Sequence, residues 1–469
     1  MSTVPWTLAH VDLRRAFLTN LVASTGETTL RFLFGLALAR LLQPAELGLY
    51  ALTMGVFGIA QLLRDCGVSA YLQREPALTP ARFSACLGLL LCTTSALTLA
   101  LALGAPTIAR WSGQPALVPL LQLAALGLPL SAFGGVMAAL QLRELAAARI
   151  AQVSWLGVLT QGLLAIALSA LGCGALGLVW AQLAAIAACG LAYAALRPAG
   201  LHWVPSWRGW QAVLGFGGAS LFAKALTTLH AVVPNLLLGR LGAAHELGLL
   251  GRAQATVGLL QTLTGQALGF GALPVLAERH ARTQSLAPAV LRAAALLTGL
   301  GWPLLALTVE HREPLVRLLY GAAWLDCTPA VLPLALLAAM GLPFTQLGAA
   351  LAAVGKPAWA ALPTAVALAA RVLLCLALYD GTLASYAWGL CAAACISLPF
   401  QGWLARRHLG VSPRAAATAL VGSAVATVAV VVVPWPLVPL AWLAALHACR
   451  HPLADEGLQL LRRRMTIRK

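Results

Sequence analysis

Acidic side chains are scarce in this chain, and charge of either sign is thin. Of its 469 residues, 14 are Asp or Glu and 31 are Lys or Arg, so 10% are charged while 60% are apolar. A soluble globular domain carries about 25% charged residues. Too few polar side chains remain to coat a water-exposed globule, which makes lipid the solvent for most of the surface. Long polar segments are missing as well, and with them any soluble domain able to hold a nucleotide. No phosphate-binding loop, no G-x-S-x-G and no acid pair in a loop outside the apolar stretches can be found. These absences exclude ATP-driven transport by this chain alone and argue against an enzyme.

The ten cysteines form no C-x-x-C pair. Most lie inside apolar stretches, Cys391 and Cys395 at helix spacing, which predicts small hydrophobes packed between helices. His447, Cys449 and His451 fall at the expected frayed end of the last helix, so no metal site is expected there, nor any cofactor. A cleavable signal peptide is not expected either. The first apolar stretch contains Glu27 and Arg31 and runs on to Ala39 with no small-residue cleavage site behind a compact apolar core.

What is present is a series of apolar stretches of roughly 17–25 residues, the length of a membrane span. They lie near 17–39, 47–69, 83–108, 117–140, 150–171, 173–196, 212–238, 247–275, 287–309, 328–353, 358–379, 383–404, 415–433 and 434–449. The last two are separated only by Pro434-Trp435-Pro436, which must turn the chain sharply. With both termini on one side, the loops of that side hold 22 of the 31 basic residues, including the tail Arg462, Arg463, Arg464, Arg468 and Lys469. This is the positive-inside pattern, and it predicts cytoplasmic termini. The net charge of +17 is therefore read as a topology anchor beside anionic lipid, with no nucleic-acid partner.

Residues 36–63 return at 236–263 without a gap. Leu36, Leu38, Arg40, Leu41, Glu46, Leu47, Gly48, Leu49, Gly58, Gln61 and Leu63 recur as Leu236, Leu238, Arg240, Leu241, Glu246, Leu247, Gly248, Leu249, Gly258, Gln261 and Leu263. An even number of spans separates the copies, so they keep one orientation about an axis along the membrane normal, a layout used by transporters that bind at a midplane cavity. The predicted fold is all-α and polytopic, with about 14 transmembrane helices. It comprises two six-helix bundles related by a pseudo-twofold, residues 1–200 and 201–410, with two C-terminal helices and a basic tail over 411–469.

Charged groups inside spans cost about 2.5–3.5 kcal/mol each and need a reason. The first span carries Glu27 one turn before Arg31 and a polar stripe of Asn20, Ser24, Thr28 and Arg31. The seventh carries Ser220, Lys224, Thr227, Thr228 and Asn235, with Ser220 in register with Asn20 and Lys224 with Ser24. Gly58, Gln61 and Asp65 share a face of the second span, and Gly258, Gln261 and Gly265 the matching face of the eighth, which also holds Arg252. With Arg371, the basic groups outnumber the one mid-span acid, so a cavity lined this way would suit an anion. The structural alternatives are a self-neutralised Glu27–Arg31 pair, an Arg252 that snorkels to the interface, and an Asp65 that caps or hinges a helix end. The corners around Glu46 and Glu246 are expected to be structural Arg–Glu pairs at helix starts.

The stretch L-A-R-L-L-Q-P-A-E-L-G-L-Y-A-L at 38–52, followed by Q-L-L-R-D-C-G-V-S-A-Y-L-Q-R-E at 61–75, resembles the polysaccharide transporter family. This is the Wzx-type flippase branch of the multidrug/oligosaccharidyl-lipid/polysaccharide exporter superfamily. The resemblance implies a secondary transporter that moves an undecaprenyl-diphosphate-linked oligosaccharide across the bacterial inner membrane by alternating access, for export of a surface polysaccharide or for lipopolysaccharide biosynthesis. It also implies membrane lipid, a polysaccharide polymerase and glycosyltransferases as partners. Related lipid II flippases use cationic side chains of helices 1, 2, 7 and 8, which Arg31, Lys224 and Arg252 match by location. The second corner departs from the first, with Gly242-Ala243-Ala244-His245 in place of Leu42-Gln43-Pro44-Ala45.

The expected substrate site is thus Arg31, Lys224, Arg252, Glu27, Gln61, Gln261 and Asn235, with Glu27 and Asp65 as candidates for ion coupling. Two rival readings are a cation-coupled multidrug antiporter of the same superfamily, which should show unpaired acids in its cleft, and a non-transporting scaffold of a polysaccharide-synthesis complex.

Overall fold

The computed structural model describes residues 13–75, 78–143, 147–196, 204–207, 210–269 and 284–454, with a few positions between 276 and 282. Every regular element among them is a helix. A chain whose surroundings cannot hydrogen-bond must satisfy its backbone internally, and an apolar chain of this length does so helix by helix.

The chain forms two compact units, residues 1–249 and 250–469. The first contains α1 (Leu13–Leu41), α2 (Pro44–Asp65), α3 (Val68–Arg74), α4 (Pro80–Ser112), α5 (Leu117–Ala125), α6 (Gly127–Arg143), α7 (Ala147–Ala170), α8 (Gly174–Ala195), α9 (Trp210–Leu241) and the opening turns of α10 (Ala244–Gly269). The second contains the rest of α10 and α11 (Ala287–Glu310), α12 (Arg312–Leu319), α13 (Thr328–Gly341), α14 (Leu347–Ala353), α15 (Ala361–Leu378), α16 (Leu383–Leu409), α17 (Pro413–Val432) and α18 (Val438–Ala448). Helix α9, the counterpart of α1 in the repeat, packs along α2 in the first unit.

Ten helical segments among the described residues are long and apolar enough to cross a membrane, and the chain is a multi-pass membrane protein. Large apolar side chains such as Leu103, Leu171, Leu191 and Val432 are largely exposed, where lipid is their natural solvent. Helix ends carry ordinary signals. Thr79, Thr382 and Ser412 cap α4, α16 and α17 through their hydroxyls, and Pro follows at once in α4 and α17. Left-handed glycines Gly113 and Gly410 end α4 and α16.

Several expected spans are broken. The second ends at Asp65, because Cys66 (φ 42) and Gly67 (φ 78) turn left-handed before α3 begins. The fourth divides at Leu126 into α5 and α6, and the tenth divides through a 3-10 turn at Leu342–Phe344. The last helix has 11 residues, about 16 Å of rise and roughly half the hydrocarbon thickness.

The chain beyond α18 corrects an expectation. His451 is 2% exposed, not frayed. It fills the space over Gly299 and Gly422, where a side chain would collide with it. Leu453 N–H donates to its Nδ1 at 3.2 Å, which leaves Nε2 to donate to Ser423 Oγ at 3.1 Å, and Ser423 in turn meets Thr298 Oγ1 at 2.8 Å. Glycines on two helices make room for the ring, and a polar network fixes it.

The repeated corners are in contact. A side chain at Gly48 would collide with the Ala244 carbonyl, and one at Gly248 with the Pro44 carbonyl. The same close approach therefore occurs twice, once from each copy, and both copies need glycine at that position. At the first corner Glu46 Oε2 accepts from the Gln43 backbone N–H at 2.9 Å and ties off the start of α2.

Candidate functional site

The break after α2 opens a cavity of about 440 Å³ inside the first unit. Gln61, Arg64 and Asp65 reach it from the end of α2, Ser69 and Gln73 from α3, Gly135 and Leu142 from α6, and Lys224 and Thr228 from α9. Lys224 and Thr228 are one helical turn apart, and so are Gln61 and Asp65, so each pair presents one face.

Within this cavity Lys224 Nζ lies 3.8 Å from Asp65 Oδ2. Asp65 is fixed from its other side by Ser69, whose hydroxyl donates to Oδ1 at 2.5 Å. Arg64 is buried, and its Nη1 donates to the Leu128 carbonyl at 3.2 Å and to Ser131 Oγ at 2.8 Å. A guanidinium remains charged in proteins and an ammonium ordinarily does. The cavity therefore holds two cations, one carboxylate and several amide or hydroxyl groups in an otherwise apolar body. Such a lining can take up an anionic group and hydrogen-bond a hydroxylated one.

A second cluster lies on α1, α7, α8 and the start of α2. Glu27 Oε1 accepts from Arg31 Nε at 3.1 Å and from Nη2 at 2.8 Å, while Ser154 Oγ donates to Glu27 Oε2 at 2.6 Å. Arg31 Nη1 reaches Gln161 Oε1 at 3.5 Å. The Gln161 amide donates in turn to Gln182 Oε1 at 2.6 Å and to the Tyr50 hydroxyl at 3.2 Å. Neither Arg31 nor Glu27 lines the Lys224 cavity.

In the second unit the Arg252 guanidinium lies over the rings of Tyr320 and Trp324, 5.6 Å from each ring centre. Thr256 Oγ1, one turn on, meets the Tyr320 hydroxyl at 3.3 Å.

The structure thus gathers Lys224, Gln61 and Asp65 in one cavity, places Glu27 and Arg31 in a second cluster, and sets Arg252 over two aromatic rings. Asn235 is half-buried on α9, three turns beyond Lys224. The side chains of Gln261, Asn20 and Ser220 lie outside the described residues.

The sequence profile described as "Polysaccharide biosynthesis protein" matches residues 37–329, well over half of the chain. The chain belongs to this family. Among solved structures, this chain is similar to "Lipid II flippase MurJ, inward closed conformation", with a TM-score of 0.74 at 10% identity over 93% of this chain and 100% of that one. It is also similar to a multidrug resistance MATE family transporter of the MOP superfamily in an inward-facing conformation, with a TM-score of 0.61 at 16% identity over 83% of this chain and 99% of the other. At these identities the likeness is one of fold. No curated protein matches the chain.

Sequence reasoning passed over Arg64, Ser69 and Gln73 in the cavity, Ser154, Gln161 and Gln182 in the second cluster, and the rings around Arg252. The amides had a legible signal, because Gln161 and Gln182 stand inside apolar spans where uncharged polar groups also seek partners. Arg64 had none. Its position at the end of a span reads as a loop cation, and only the packing of α2 on α5 and α6 reveals a buried guanidinium.

Proposed function

We propose that this protein is a flippase that carries a polyprenyl-diphosphate-linked oligosaccharide across the bacterial inner membrane, both of its termini being cytoplasmic. The observation that carries the reading is the pairing of Lys224 with Arg64 in one polar cavity of a lipid-embedded helical body. A diphosphate cannot cross hydrocarbon unaided, and the cations of this cavity would offset its charge. The hydroxyl and amide groups of Thr228, Gln61 and Gln73 suit a sugar headgroup, while the polyprenyl tail stays in lipid.

The repeat supports movement by alternating access, with 1–200 and 201–410 as rocking lobes and 411–469 as an addition. Arg31, Arg252, Gln261 and Asn235 are assigned to the path of the headgroup in other states of the cycle. Glu27 and Asp65 are the acids that a coupling cation would use. Polysaccharide polymerase and glycosyltransferases are the partners such a step requires on either side of it. The likeness to a lipid II flippase fold supports this reading, and the family's part in polysaccharide biosynthesis favours it over drug export.

The test is depletion of the protein in cells, followed by assay of lipid-linked oligosaccharide in each leaflet. The expected result is accumulation in the inner leaflet together with loss of surface glycan. An unchanged leaflet distribution would overturn the reading, and glycan loss with normal leaflet distribution would favour a scaffold.

A further inference from the structure

Asp65 is in a costly place. An acid at the C-terminal end of a helix opposes the helix dipole, and the residue after it, Cys66, is held left-handed at φ 42 without being glycine. The adjacent Arg64 adds its charge nearby, but its guanidinium hydrogen-bonds the Leu128 carbonyl and Ser131. The cation that faces Asp65 is Lys224.

The two partners differ in freedom. The Asp65 side chain is 13% exposed and anchored by Ser69, whereas that of Lys224 is 60% exposed on a flexible four-carbon stem. Their separation of 3.8 Å is beyond direct hydrogen-bond length. Asp65 therefore holds the ammonium by charge alone, in front of open cavity.

We propose that Asp65 is a resident counter-ion that competes with the substrate's anionic group for Lys224. In the empty carrier the carboxylate occupies the electrostatic place of a phosphate, so that no bare ammonium faces the low-dielectric interior as the protein reorients. An incoming diphosphate draws Lys224 off Asp65, and on release the fixed carboxylate takes the ammonium back. The exchange breaks and makes ionic contacts only. This rests on the reading of the cavity as an anion site.

The test uses the full-length protein in lipid nanodiscs, with geranylgeranyl diphosphate as probe and geranylgeraniol as the uncharged control. Wild type should bind the diphosphate in preference to the alcohol. Asp65→Asn should bind the diphosphate about tenfold more tightly (an effect of about 1.4 kcal/mol) while its rate of flipping falls, because release has lost its competitor. Asp65→Glu, whose carboxylate reaches further towards Lys224, should bind it more weakly. Lys224→Ala should lose the preference for diphosphate, and adding Asp65→Asn to it should gain nothing. Unchanged or weaker binding in a folded Asp65→Asn protein would overturn the proposal, as would tightening that persists without Lys224. If wild type fails to distinguish diphosphate from alcohol, the anion-site reading itself fails, and this proposal with it.

Discussion

The two copies of the repeated segment begin alike and end differently, and the difference separates scaffold from chemistry. At the start, Glu46-Leu47-Gly48-Leu49 and Glu246-Leu247-Gly248-Leu249 are identical, and each glycine sits against a backbone carbonyl of the other copy. Twenty residues on, the first copy has Asp65, Cys66 and Gly67 and its helix stops. The second has Gly265, and its helix runs on to Gly269. The cavity lies at the copy that breaks. Likewise Lys224 stands where the other copy has Ser24, and Glu27 and Arg31 where it has Thr227 and Ala231. Backbone contact is duplicated. Charge is not.

The glycine contact offers the largest test of that comparison. Gly48→Ala and Gly248→Ala each push a methyl into a carbonyl, and overpacking of this kind costs about 1–3 kcal/mol. Both variants should lower the thermal midpoint of the detergent-solubilised protein by similar amounts, whereas Gly58→Ala and Gly258→Ala, which face open space, should not. A loss at only one of the two corner glycines would break the equivalence of the copies.

The second test concerns charge that belongs to one copy only. Arg252→Ala removes the guanidinium from over Tyr320 and Trp324, and a desolvated cation–aromatic contact is worth about 1–2 kcal/mol. The expected outcome is a lower thermal midpoint with diphosphate preference retained. Loss of that preference at unchanged stability would instead move Arg252 into the anion site.

A smaller effect is expected at Asp380, in the turn between α15 and α16. The Ser385 and Thr382 hydroxyls hold its carboxyl below the usual carboxylate range. A depressed folded pKa adds stability above the unfolded value of about 3.9, and this stability is lost as pH falls through the folded value. Asp380→Asn should therefore lower stability slightly at neutral pH and flatten its decline below about pH 4, read by thermal unfolding. A decline identical to that of wild type would show that the turn contributes nothing.

Much of the fold was legible in the amino-acid order because membrane spans announce themselves by length and apolarity. Helical segments lie at every expected span from 17–39 to 434–449. Of the breaks, only the helix end at Asp65 was foreshadowed, as a cap or hinge. Cys66 carries no signal for a left-handed turn, and Leu126 and Leu342 look like any other leucine of a span. The site was half visible: mid-span charge singled out Lys224, Glu27 and Arg31, but not that Lys224 and Arg31 would stand in separate clusters. That depends on which faces α1 and α9 turn to their neighbours, and a polar stripe alone does not specify its partner. His451 misled for a related reason, since a residue past a short helix reads as exposed until Gly299 and Gly422 are seen to receive it.

The central claim is that the Lys224 cavity handles an anionic headgroup, and the most direct measurement is surface glycan in cells carrying Lys224→Ala or Lys224→Arg at matched protein levels. The account predicts a loss of at least about tenfold with alanine, equivalent to about 1.4 kcal/mol, and substantial retention with arginine, which keeps the charge. Full glycan with alanine would contradict it.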